Sequence, residues 1–447
     1  MFGVRKNINS VAGLQVFNVL RFITFLIISI VFTKIGLSKE EIGVFEVAIF
    51  IASAASFFWV TGLIQAFLPL YKNSKTFGNK EKIIGQKSPE IFNIYILLIF
   101  FSFLVAGIGL AVKGNFSVFG YKGHVPLLNI TLWYLLLSSP ANLVEYIYMV
   151  QNKSGNTLSY AYITYSLQLV AAILPVVLGY NVIWSLRALV IVAAIRNVWL
   201  LTLIYNYAKI KISIPYIKEI LIFSGPLIIS TLISGSSQYI DGMVISSHYD
   251  ADGFAIFRYG AKELPFVTML AAGLSAAMLT QFNNAIQIKE TLAIIRKKSL
   301  RIMHSMYPLT IAMLLFAKPM FKNIFSPDFS RSSDVFVIYL LAIVSRLLFP
   351  HTLLIGLKKV KTLMIISFIE VILNIFFSIW LVNVYGVVGV ALATVVAYFI
   401  SKVIMIAYNY YKLGIHPEDY IPLRWYAFYS FMLGLVFVLL DRKIIVI

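Results

Sequence analysis

The sequence predicts an all-α polytopic membrane protein made of two parallel six-helix repeats, with one further apolar segment near its end. Three observations predict it. Apolar residues gather in stretches about as long as the roughly 20 residues a helix needs to cross a bilayer. Basic residues concentrate in alternate connections between those stretches. Short motifs of the first half return in the second at nearly constant offsets.

The stretches lie at about 11–33, 42–71, 89–113, 126–150, 157–179, 182–207, 219–247, 252–284, 302–325, 334–356, 362–385, 387–411 and 424–440. With 60% hydrophobic and 12% charged residues and a mean hydropathy of +0.89, the chain is an integral membrane protein. Met1 to Gln15 shows no small-residue cleavage site, so the first stretch is expected to stay as a helix.

The net charge of +19 could point to nucleic acid, but its distribution argues against it. One set of connections holds Arg5 and Lys6; Lys72 to Lys87; Lys153; Lys209 to Lys218; Lys289 to Arg301; Lys358 to Lys361; and Lys412 with Arg424. The other set holds little beyond Lys34, Lys39, Lys113, Lys122, Lys322 and Arg331. Such asymmetry sets topology and is expected to place the N-terminus in the cytoplasm.

Gly62, Leu63, Ala66, Leu68 and Asn73 are echoed 211 residues later by Gly273, Leu274, Ala277, Leu279 and Asn284. Lys153, Thr157, Leu158 and Tyr180 are echoed 205 residues later by Lys358, Thr362, Leu363 and Tyr385. Six helices per half is an even number, so the repeats are expected to run parallel, with the site between them. The expected division is a lobe at 1–208, a lobe at 209–412 and an extension at 413–447. The run Trp425 to Leu440 either spans or lies in the interface, which leaves the side of the C-terminus open.

Several chemistries find no support. The chain has no cysteine, hence no disulfide, thiolate metal site or cysteine nucleophile. Gly85-Gln86-Lys87-Ser88 lacks the glycine spacing and Gly-Lys pair of a phosphate loop. The five histidines are scattered without metal-ligand spacing. The longest outer loop, about Gly114 to Val125, is too short for a catalytic domain. The chain is expected not to be an enzyme and to hold no cofactor or metal, with coupling to a gradient of H+ or Na+ as its energy source.

The informative residues are polar groups inside the stretches. Glu219 to Asn284 forms the organising region. Thr231, Ser234, Gln238 and Asp241 stand three, four and three residues apart, on one helical face. In the next stretch Lys262 lies one turn inward of Arg258, with Glu263 beside it. Arg21 lies near mid-depth of the first helix, with Asn18 and Gln15 at three-residue steps before it. Glu46 lies in the second, and Arg196 and Arg346 near mid-depth of the sixth and tenth; Glu145, Glu370 and Lys402 fall in inner halves. Charge at such depth is costly and faces water or a partner, although ion pairs between helices or snorkelling side chains would also account for it. The expected site residues are the cavity cations Arg21, Arg258 and Lys262. Asn18, Glu46, Ser234, Gln238, Asp241 and Glu263 are the polar or ion-coupling candidates. Pro226, which removes one helical hydrogen bond, is the expected hinge.

The sequence resembles the Wzx-type polysaccharide flippases of the MOP superfamily over its twelve-helix body. Leu357 to Ala397 carries the likeness best: Lys358-Lys359-Val360-Lys361-Thr362 leads to Asn374 and then to Tyr385-Gly386-Val387-Val388-Gly389-Val390-Ala391-Leu392-Ala393-Thr394. Ile35 to Phe45 and Ser224-Gly225-Pro226-Leu227 also look like that family. The resemblance implies a V-shaped, MATE-like bundle. Its implied substrate is a lipid-linked oligosaccharide on undecaprenyl pyrophosphate, moved outward across the bacterial plasma (inner) membrane. Polymerase and glycosyltransferase partners, and membrane lipids, are implied with it. Relatives that flip peptidoglycan precursor use cations on helices one, two and eight; Arg21 and Arg258 or Lys262 match two of these, and Glu46 departs on the second. The competing expectation is a cation-coupled multidrug antiporter of the same superfamily, for which Asp241, Glu46 and Glu263 would be the carboxylates. A polysaccharide polymerase or ligase is disfavoured by the short outer loops.

Overall fold

A computed structural model describes residues 10–74, 76, 78–79, 85–112, 127–261, 271, 274–275, 288–357 and 359–442. Nearly all of them are helical. The exception in sheet is a two-residue antiparallel pair, β1 (Asn73–Ser74) and β2 (Gly78–Asn79).

The first half contains α1 (Ser10–Ile35), α2 (Lys39–Ala54), α3 (Phe57–Lys72), α4 (Pro89–Ala111), α5 (Leu128–Ala141), α6 (Val144–Val150), α7 (Ser154–Val177) and α8 (Val182–Tyr207). Then follow α9 (Ile214–His248), α10 (Ala251–Gly260), α11 (Ile288–Ile324), α12 (Ser332–Leu340), α13 (Ile343–Arg346) and α14 (Pro350–Gly356). The chain closes with α15 (Val360–Leu413), α16 (Pro417–Tyr420) and α17 (Leu423–Asp441).

Among the described residues eight helices are long and apolar enough to cross a membrane, or ten if each of two bent pairs is one span. Three local facts separate that from the thirteen stretches expected. The stretch at 126–150 is broken into α5 and α6. Most of the stretch at 252–284 lies outside the described residues, beyond α10. The two stretches at 362–385 and 387–411 run together as α15, whose 54 residues would reach about 80 Å, far more than a bilayer core of about 30 Å. Gly386 divides it with φ 63° and ψ −139°, a backbone conformation essentially confined to glycine. A Cβ on Gly389 would stand 2.1 Å from the Leu381 carbonyl oxygen, so the chain folds back tightly on itself there.

The starts and breaks follow from the sequence. Ser38 and Glu41 form a reciprocal capping box that opens α2, with the Glu41 amide donating to Ser38 Oγ at 3.1 Å. The expected single stretch at 42–71 bends by 41° between α2 and α3. There Ser56 Oγ donates to the Ala52 carbonyl at 2.7 Å, a back-bond that bends helices. The fourth and tenth stretches break alike: α6 and α14 are both seven-residue pieces that precede a long helix. That is the local likeness an internal repeat would leave.

Two compact units emerge from the packing. One comprises residues 1–239 with 249–255, the other 240–248 with 256–447. This grouping follows contacts, whereas the lobe boundary expected at 208 and 209 follows chain order, and α9 is where they differ. The front of α9 belongs to the first unit because it packs there closely: a Cβ on Gly62 would stand 2.5 Å from Ile228 Cγ1. The linker before it is also pinned. Buried Asn93 on α4 donates to the Lys211 carbonyl at 2.9 Å and accepts from the Ser213 amide at 2.9 Å.

In the first unit α1 lies along α7, and α5 and α7 lie along α8. Their core gathers Phe17, Trp59, Leu63, Ile147, Tyr160 and Leu200. In the second unit α17 packs on α11, where Tyr429 stacks on Tyr307 at 5.2 Å and Tyr307 meets Ser430 at 3.0 Å. With 19 residues and a mean hydropathy of 1.7, α17 is long and apolar enough to cross a membrane. Large apolar side chains such as Phe103, Ile191, Val198 and Phe376 remain exposed on the helix faces. An aqueous protein rarely tolerates so much; lipid covers such faces in a multi-pass membrane protein.

Candidate substrate and ion-coupling sites

In the first unit the chemistry gathers where α1, α6, α7 and α8 meet. Phe17 is buried, its ring 6.1 Å from that of Tyr160 and 5.1 Å from that of Tyr165. Arg21 follows one helical turn later, near the middle of the 26-residue α1, and is exposed, as is Asn18. Arg196 comes from α8 and is only 7% exposed. Its Nε donates to the Tyr160 hydroxyl at 2.9 Å. Glu145 from α6 is buried and lies in the field of both Arg196 and Arg21. Burying a carboxylate in such surroundings is tolerable only with a cation close by. Glu46, an expected ion-coupling residue, is also buried inside this unit.

The second unit holds a different carboxylate. Asp241, near the end of α9, is 1% exposed. Its Oδ2 accepts from the Tyr339 hydroxyl at 2.6 Å and from the Thr394 hydroxyl at 2.5 Å. Asn374 Nδ2 approaches Oδ1 at 3.4 Å and donates to Thr394 Oγ1 at 2.7 Å. Four helical segments contribute: α9, α12 and the two arms of α15 on either side of Gly386. Asn374 Oδ1 and the Ser378 hydroxyl, one turn apart on the same face, are buried without a hydrogen-bond partner among the described residues. The set therefore offers a carboxylate, an amide oxygen and hydroxyls, all hard oxygen donors of the kind that suit a small alkali cation or a proton. No group of three or more His, Cys, Asp or Glu side chains that could hold a metal ion occurs among the described residues.

A second polar cluster of that unit surrounds the break between α13 and α14. Lys402 Nζ donates to His351 Nδ1 at 3.2 Å, which leaves the hydrogen on Nε2, 3.5 Å from both Ser275 Oγ and Thr352 Oγ1. Glu370 and Arg346 lie in the field of Lys402.

The remaining expected residues are placed as follows. Arg258 is half-buried on α10, in the second unit. Lys262 and Glu263 lie outside the described residues, and so do the side chains of Ser234 and Gln238. α9 runs as one helix through Pro226. Sequence reasoning singled out Asp241 but not the group that surrounds it. Asn374 and Thr394 entered only through the family likeness, and Tyr339 not at all. Tyr339 and Thr394 are 98 and 153 residues away from Asp241, beyond any helical spacing.

A family described as polysaccharide biosynthesis protein matches residues 36–334, well over half the chain. The chain belongs to that family. No curated protein sequence matches it. Among solved structures it is similar to the lipid II flippase MurJ in an inward closed conformation, with TM-score 0.69 and 17% identity over 95% of this chain and 92% of that one. It is also similar to an inward-facing multidrug resistance MATE transporter of the MOP superfamily, with TM-score 0.61 and 14% identity over 91% and 98%. A third is a MOP superfamily transporter from Pyrococcus furiosus whose binding pocket is described as reversed in polarity, with TM-score 0.52 and 13% identity over 91% and 93%. At those identities the likeness is one of fold, and the polysaccharide biosynthesis family member has the fold of the MOP superfamily.

Proposed function

We propose that the chain is a flippase that carries a lipid-linked oligosaccharide, on undecaprenyl pyrophosphate, outward across the bacterial plasma membrane for surface polysaccharide synthesis. The N-terminus is cytoplasmic, and glycosyltransferases and a polymerase work on the same substrate before and after it. The chain makes and breaks no bonds. The carrying observation is Arg21: an exposed guanidinium near the middle of a membrane-spanning helix, in a member of a polysaccharide biosynthesis family. A mid-depth arginine costs several kcal/mol, about 2.5–3.5 on insertion scales, unless water or an anion meets it. Its planar fork fits phosphate oxygens. Arg258, with Lys262, provides the corresponding cations of the other half.

Energy for release comes from an ion gradient, H+ or Na+, acting at Asp241, whose surrounding oxygens are suited to either. The multidrug antiporter is the weaker reading, because the family match is to polysaccharide biosynthesis and the exposed charge on α1 is cationic. Arg21→Gln tests the proposal in cells that lack the natural protein. Normal protein abundance with lost surface polysaccharide is the expected result, and normal polysaccharide removes Arg21 from the site.

A further inference from the structure

The connection between α8 and α9, Ala208 to Ser213, joins two helices that are each long and apolar enough to cross a membrane. A link that short between two spans lies at a membrane surface. It is held there as a strap. Ala208 pairs with Ser88 as in a parallel sheet: the Ser88 amide donates to the Tyr207 carbonyl at 2.8 Å, and the Lys209 amide donates to the Ser88 carbonyl at 3.0 Å. Asn93 pins the backbone of Lys211 and Ser213 at the far end. Lysine and isoleucine alternate along the strap as Lys209, Ile210, Lys211 and Ile212, and Ile214 opens α9. Ile210, Ile212 and Ile214 are 80%, 64% and 76% exposed. A single exposed isoleucine needs no partner, but three at alternate positions on a pinned backbone form a patch that water disfavours. Tyr205 is exposed beside it, with the Lys87 ammonium 4.9 Å from its ring centre. Lys153 Nζ donates to the Tyr207 hydroxyl at 2.5 Å. Tyrosines and lysines so arranged mark the headgroup level of a bilayer. The described carboxylates nearest in sequence to these lysines are enclosed or engaged. Glu90 is buried, and Glu219 Oε2 accepts from the Thr76 amide at 3.2 Å and its hydroxyl at 2.8 Å. Lys87, Lys209, Lys211 and Lys218 stay exposed.

We propose that the strap is a docking site for an anionic phospholipid. Lys87, Lys209 and Lys211 meet its phosphate, and Ile210, Ile212 and Ile214 bury against its upper acyl chains. Charge complementarity calls for an anion, and the isoleucines choose among anions. Inorganic phosphate or an acidic peptide gives them nothing apolar to bury against, whereas a phospholipid carries phosphate and hydrocarbon side by side. The bound lipid braces the end of α8 and the start of α9 against α4, so it stabilises the first unit. The site is distinct from the substrate contact assigned to Arg21, which lies near the middle of α1 rather than at a helix end.

The test titrates phosphatidylglycerol into the purified full-length chain in micelles of a neutral detergent. The readout is the melting midpoint, which rises when a ligand binds the folded state alone. Phosphatidylcholine with the same acyl chains is the comparison. Phosphatidylglycerol is expected to raise the midpoint at a mole fraction about tenfold lower or less. Lys87→Gln, Lys209→Gln and Lys211→Gln combined should erase that preference, and each change alone should weaken the anionic lipid about fivefold. Ile210→Ser with Ile212→Ser should weaken both lipids. The same kind of charge removed elsewhere, by Lys359→Gln with Lys361→Gln, should leave the preference intact. Equal response to the two lipids overturns the inference, and so does an equal loss in the variant at residues 359 and 361. An unchanged response in the isoleucine variant, or a rise as large with inorganic phosphate, makes the strap a free-anion site and overturns it. A rise as large with a soluble glutamate peptide assigns the strap to a protein partner and overturns it too. Where the triple lysine variant does not accumulate, Lys209→Gln decides alone, and an affinity equal to that of wild type overturns the proposal.

Discussion

Two buried carboxylates, one in each compact unit, are neutralised in opposite ways. Asp241 sits among hydroxyl and amide groups, which surround its oxygens with directed hydrogen bonds. Glu145 sits beside cations, and one of its oxygens accepts no hydrogen bond from the described residues. Dipoles that converge on a carboxylate stabilise its charge locally and leave the set electrically able to exchange a small cation or a proton. A guanidinium compensates charge outright and fixes it. The first arrangement suits a group whose occupancy changes in each cycle.

That contrast can be broken most sharply at Arg196. Arg196→Leu removes the enclosed cation and strands Glu145 in an apolar interior, a change that costs about 3–5 kcal/mol when one partner of a buried pair is lost. Thermal melting of the purified protein should fall well below that of wild type, and Arg196→Leu with Glu145→Gln together should recover most of the loss. A small loss in the single variant would mean that Glu145 is compensated from elsewhere.

Asp241→Asn should have a smaller effect on stability and a larger one on function. The amide keeps one acceptor and turns the other into a donor that faces hydroxyl donors, at a cost of about 1–3 kcal/mol. Transport should lose its dependence on the H+ or Na+ gradient while the protein still accumulates. A melting loss as large as that of Arg196→Leu would place the two carboxylates in one structural class and end the comparison.

The smallest expected effect is at Pro226. Substitution by alanine restores the helical N–H that proline lacks and should leave stability within about 0.5 kcal/mol of wild type, as changes away from strained or buried polar groups do. If α9 flexes at this proline as the lobes move, polysaccharide export should slow by a small factor at equal abundance. An unchanged rate would show that α9 moves as one rigid rod.

Much of the architecture was readable from one-dimensional signals. The stretch expected from about 42 began within three residues of α2 at Lys39. Tyr385-Gly386 marked the turn between the arms of α15, because only glycine accepts φ 63° with ψ −139°. The bends at Ala55-Ser56 and between Arg346 and Pro350 were missed, since a broken span has the same mean hydropathy as a straight one. The site was legible only as a set of suspects. Asp241, Arg21, Glu145 and Arg196 stood out because charge is expensive in lipid, but cost alone does not say which partner bears it.

The sequence by itself determined that the chain crosses a membrane many times, and which residues carry charge there. Both follow from local physics: hydropathy over a window of about 20 residues, and the few residues that start, turn or stop a helix. The tertiary structure decided the partners. Tyr339 and Thr394 reach Asp241 from helices 98 and 153 residues further along the chain, and Arg196 finds Tyr160 36 residues back. In an apolar sequence nearly every helix face can pack against nearly every other, so no periodicity encodes those pairings. They are selected when the helices associate, because a buried polar group left without its partner costs more than the alternatives gain.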